Sequence, residues 1–183
     1  MVEDVNHLFI VALATSVCGR MEINVKKITL ILLAFSLVLS GCYKKYENYY
    51  NYEEKIVEQS DHYNYKSCTG EIQEKNVDLK FEFSGTDTIW TIESDSDIDL
   101  KCLYSAKIDS GKFKMVLISP DKSINTEVEG STDVLLILQL KPGTNIVKIS
   151  GVNCKGQLNM KAEEENLSGI KIQANDKKEF PWN

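Results

Sequence analysis

This 183-residue chain is poor in histidine, with two, and in proline, with three. Only His62 lies beyond position 41, and no Cys-x-x-Cys pair occurs. A four-ligand zinc site would have to draw Cys68, Cys102, Cys154 and His62 together from distant segments, so no metal is expected. Ser-His-Asp or Cys-His chemistry would rest on His62 alone, inside a Tyr-rich stretch without a rigid scaffold. No Gly-rich loop opens a helix, which removes the usual phosphate cradle. Positive charge is short as well: the net charge is −6, and a nucleic-acid partner is disfavoured because such a site needs a basic face. Sustained apolar stripes at helical spacing are missing, which excludes a parallel α/β fold. The apolar run 28–38 is too short to cross a bilayer comfortably.

That run has a different use. Lys26 and Lys27 precede it and Leu39-Ser40-Gly41-Cys42 follow it, the order of a positive n-region, an h-region and a small-residue cleavage site. The four residues resemble the lipobox of bacterial lipoproteins. The resemblance implies a signal peptide over 21–41, cleavage before Cys42, and a lipid on the Cys42 thiol as the membrane partner. Residues 1–20 read as an N-terminal extension with Glu3 and Asp4 where an n-region should be basic, so Met21 is the better start. The leader carries three acids (Glu3, Asp4, Glu22) and three bases (Arg20, Lys26, Lys27), so the remainder stays acidic. Adsorption of an acidic protein to an anionic leaflet is unfavourable, which leaves the acyl chains as the anchor. The expected location is the extracytoplasmic face of the cell membrane.

Residues 42–65 interleave tyrosines with Lys, Asn and Glu and have few aliphatic residues beyond Ile56 and Val57. They are expected to be a tether, because so little apolar area does not offset chain entropy. Over 66–174 the pattern becomes alternating. Leu79, Phe81 and Phe83 share one face, as do Leu100, Cys102 and Tyr104, then Phe113, Met115 and Leu117, then Leu158 and Met160. Val134 to Leu138 is apolar at every position and predicts a central strand covered on both sides. Ser84-Gly85-Thr86-Asp87, Asp109-Ser110-Gly111, Ser119-Pro120-Asp121, Gly130-Ser131-Thr132 and Pro142-Gly143 carry turn chemistry. The fold class expected is all-β, an antiparallel β-sandwich of about eight strands in jelly-roll or immunoglobulin-like order. Residues 175–183, which include Trp182, form a C-terminal tail.

The chemistry-bearing residues are few. Cys68, Cys102 and Cys154 read as small buried hydrophobes on strands, the alternatives being one disulfide with a free thiol or a soft-metal site. Glu93, Asp95, Asp97 and Asp99 alternate, but an EF-hand loop counted from Asp95 has Leu100 where Gly belongs and Ala106 where Glu belongs. They read as a solvated hairpin. Trp90 either fills the core or offers a platform for a sugar. The segments Phe83-Ser-Gly-Thr-Asp-Thr-Ile-Trp-Thr-Ile92, Ser110-Gly-Lys-Phe-Lys-Met-Val-Leu-Ile-Ser-Pro-Asp121 and Leu140-Lys-Pro-Gly-Thr-Asn-Ile-Val-Lys-Ile-Ser-Gly151 resemble small, uncharacterised lipoproteins of Gram-positive bacteria of the clostridial and bacillar type. That resemblance implies a β-domain and brings no catalytic residue or cofactor. The expected function is a non-catalytic binding or structural module for wall polymer, carbohydrate or an envelope protein. The competing class is an envelope hydrolase using paired carboxylates.

Overall fold

A computed structural model describes residues 46–58, 60–163 and 167–175, all within one compact unit, Lys44–Asn183. The leader, Cys42 and Trp182 lie outside the described residues. After a helical stretch over 46–51 and the four-residue helix α1 (Glu53–Ile56), seven strands follow: β1 (His62–Ile72), β2 (Asn76–Ser94), β3 (Ile98–Ile118), β4 (Ile124–Glu129), β5 (Thr132–Leu140), β6 (Gly143–Ala162) and β7 (Ile170–Ala174). Every pairing is antiparallel. The all-β expectation is met. The strands join in one seven-stranded sheet of order β1-β2-β6-β3-β4, with β5 added on β3 and β7 on β2.

Three strands of 19, 21 and 20 residues, β2, β3 and β6, form the middle of that sheet. Such lengths arise because two sequences with turn chemistry are not turns. Ser84-Gly85 and Ser110-Gly111 sit inside β2 and β3 at shifts of register, and β6 opposes them with Val152 and Asn153, the latter in the left-handed region at φ 47°. The Ser84 hydroxyl accepts the Asn153 amide N–H at 2.8 Å and ties two of the bulges together. A row of bulges across three neighbouring strands bends the sheet along one line. Asn76 and Trp90 would stand about 48 Å apart on a straight strand. Instead the Trp90 indole N–H donates to the carbonyl of Gln73, in the β1–β2 turn, at 2.8 Å. The sheet therefore doubles back, and its inner residues from both halves merge into one core of Phe81, Phe83, Trp90, Leu100, Tyr104, Phe113, Met115, Leu138, Ile149 and Leu158 among others. The Phe81 and Phe113 rings stack at 5.5 Å in that core.

The tether expected over 42–65 is corrected from residue 46 onward. The helical stretch and α1 cover the outer face of the second half of the sheet, where Ile56 packs with Val116 and Ile118 against Val57, Ile124 and Ile146 in a second core. Tyr50 is buried, and its hydroxyl donates to Glu129 Oε1 at 2.6 Å. Residues 62–65 belong to β1. Two aliphatic side chains and one tyrosine suffice here because the sheet below already presents apolar positions on its outer face. A further attachment is polar: the buried Lys148 ammonium donates to the Glu58 carbonyl at 2.7 Å and pairs with Asp61 Oδ1 at 3.3 Å. Asp61 Oδ1 also accepts from the Thr88 amide and hydroxyl.

Candidate functional site

Trp90, the one residue singled out as a sugar platform, is fully buried with its indole nitrogen satisfied. It has no face to offer a ligand, and that expectation is corrected. Its register, next to the second bulge of β2 at Thr88/Trp90, turns the ring into the fold between the sheet halves.

Among the described residues, the His62 and cysteine groups weighed for catalysis do not assemble into a relay. His62 opens β1 rather than lying on a tether. Its Nε2 is 3.0 Å from Ser60 Oγ and 3.4 Å from Glu58 Oε2. A nucleophile relay needs the carboxylate on the opposite ring nitrogen, whereas here hydroxyl and carboxylate compete for the same one. Burial pushes the thiols of Cys68, Cys102 and Cys154 up to about 12. All three are free thiols. A thiol held so far above its ordinary value is neither nucleophile nor metal ligand near neutrality. Burial also raises the Glu127 carboxyl. Asp97 is paired with Lys141 at 3.0 Å, the Asp95 amide donates to the Gly169 carbonyl, and Asp99 of β3 stands opposite Gln139 of β5. Among the described residues no three histidine, cysteine or acidic side chains converge as a metal site would require.

What the surface does hold is apolar. β5 was expected to be a central strand covered on both sides; among the described residues it is instead an edge strand that pairs with β3 alone. Leu136, Leu138 and Leu140 point into the core, while Leu135 and Ile137 point out with about half of their surface exposed. Leu103 of β3 stands directly opposite Leu135 and is 55% exposed. Beside these three a shallow depression of about 370 Å³ runs across the sheet, lined by Leu103, Ser105, Asp133, Leu135, Asn159 and Lys161 among others. Their alignment follows from register: Leu135, Leu103 and Lys161 form one row, and Asp133, Ser105 and Asn159 the next. The face is therefore a shallow, largely aliphatic surface with a polar border. Sequence alone carried its signal, since Leu103 interrupts the polar face of Asp99 and Lys101, and Leu135 and Ile137 make β5 apolar on both faces. The same signal suits double burial, because an apolar run does not say whether its second face has a cover within the same chain.

No family model matches the chain, and a search of curated proteins finds no match either.

Proposed function

We propose that this protein is a lipoprotein anchored through Cys42 on the outer face of the cytoplasmic membrane, and that its β-domain is a non-catalytic contact module for an envelope protein. The anchor rests on the lipobox-like Leu39-Ser40-Gly41-Cys42 behind its h-region, and on the likeness to small Gram-positive lipoproteins. The observation that carries the contact role is the exposed cluster of Leu103, Leu135 and Ile137 on one face of the sheet. Patches of this kind mark contact surfaces. Aliphatic side chains favour a protein over a carbohydrate, since sugar faces stack on aromatic rings. Cys42 lies four residues before Tyr46, where the described fold begins, so at most about 14 Å of chain separates lipid from domain. The module works close to the membrane instead of reaching out from it.

The test has two arms in a Gram-positive host. Metabolic labelling with an alkyne fatty acid should mark the chain and place it in washed membranes, whereas Cys42→Ala should be unlabelled and released. Equal retention of both overturns the anchor. A photo-activated benzoyl-phenylalanine at position 103 should give a discrete protein adduct that the same group at Lys107 does not. Absence of any adduct at 103 overturns the contact role.

A further inference from the structure

We infer that the β5 edge is the pairing surface for a second copy of this chain, joined antiparallel about a two-fold axis at Ile137. The inference rests on the contact role argued above and names its partner.

The free edges differ in how they are protected. β1 carries Lys66, a positive-φ Gly70 and a shift of register between Tyr65 and Ser67. β4 has six residues with Glu127 and Glu129 among them. Bulges, charges and short length are the devices that stop an edge from accepting another strand. β5 has neither bulge nor short length: nine residues, no proline, no lysine, no shift of register against β3, and a single charge, Asp133, near its start. Its unpaired backbone groups lie beside the exposed Leu135 and Ile137 and the 43% exposed Val134.

The strand also matches itself. Opposite residues in an antiparallel pair point to the same face, so a self-pairing must keep inward leucines opposite inward leucines. Centring the axis at Ile137 places Leu136 opposite Leu138 of the second copy and Leu135 opposite Gln139. It then sets Asp133 opposite Lys141 at both ends. Ile137 meets Ile137. Lys141 forms a surface pair with the exposed Asp97 at 3.0 Å and helps lower the exposed Asp121 carboxyl; surface contacts of this kind contribute little and yield the cation readily.

The experiment uses the full chain in membranes of the expressing host. Ile137→Cys puts two thiols opposite one another at a separation suited to a disulfide, and mild copper-phenanthroline oxidation should give a covalent species of twice the chain mass. The unaltered chain and Lys107→Cys should not. Adding Asp133→Lys to Ile137→Cys creates like-charge pairs at both ends and should lower the yield about fivefold. Adding Lys141→Asp to that variant should restore it. No dimer with Ile137→Cys, or a yield indifferent to Asp133→Lys, overturns the inference. An adduct at position 103 with a protein of another mass, together with no dimer at 137, overturns the second copy as partner and leaves the contact role standing.

Discussion

At the scale of single residues, Trp90 shows how one side chain can be decisive for a folded-over sheet. Its ring is the largest fully buried side chain in the core, and its N–H fastens the β1–β2 turn to the opposite half of the same strand. Trp90→Ala is expected to cost about 3–5 kcal/mol. Trp90→Phe keeps most of the packing but leaves the Gln73 carbonyl without its donor, for about 1–3 kcal/mol. Urea unfolding monitored by circular dichroism measures both. A midpoint unmoved by Trp90→Ala would place the indole outside the core. The sequence Thr88-Ile-Trp-Thr-Ile92 did not decide between core and platform, because alternation gives the parity of a residue and a bulge one step away resets it.

The same limit governs the elements. Turn residues were legible at Ser119-Pro120-Asp121, where the Ser119 N–H donates to the Ser123 carbonyl and the Lys122 N–H to that of Ser119, and at Gly130 and Pro142-Gly143, which end β4 and open β6. At Ser84-Gly85 and Ser110-Gly111 the same chemistry makes bulges, so two expected hairpins become bends inside long strands. The local requirement, a residue in the left-handed region, is identical in both cases, and the presence of a partner strand decides which results. A contrast between glycines follows. A Cβ on Gly85, at φ 118°, would stand 1.9 Å from the His62 carbonyl oxygen, whereas one on Gly130, at φ 71°, meets nothing within 4 Å. Gly85→Ala should cost about 3 kcal/mol or more, and Gly130→Ala about 1–2 kcal/mol from backbone conformation alone. Equal losses in chemical denaturation would contradict the aligned bulges as the bend. The amino-terminal segment makes the converse case. Ile56 and Val57 look too sparse to order a chain until an apolar outer sheet face exists beneath them, and that face is assembled from β3, β4 and β6. Ile56→Ala should cost about 2–5 kcal/mol, whereas in a free tether it would cost nothing.

For the whole molecule, the strand faces were legible as a period of two. The doubling back of the sheet was not, because it depends on three bulges in strands distant in sequence. Its consequence is a core that buries Cys102, Cys154 and Tyr104 and partly covers Cys68 and Tyr65 at its border. Burial raises Cys68, Cys102 and Cys154 from 9.0 to about 12, and raises Tyr50, Tyr65 and Tyr104 further, with Glu129 adding to burial at Tyr50 and Asp87 at Tyr65. A raised value means that the folded state keeps its proton while the unfolded chain loses it. The associated stability is fully present below pH 9.0 and is lost as pH climbs toward 12. Lys114, lowered by burial, acts in the opposite sense, against these six and Lys55, which its hydrogen bond with Glu58 raises. The urea midpoint should therefore hold steady from about pH 7 to about pH 8.5 and fall by about pH 11, with no matching fall in the slope of the transition. Native-state reaction with a thiol reagent at about pH 8 should be slow at all three cysteines and become complete in urea. A midpoint independent of pH up to about 11, or thiols that react as fast in the native state as in urea, would mean that the core is open to solvent and that the sheet does not close over it.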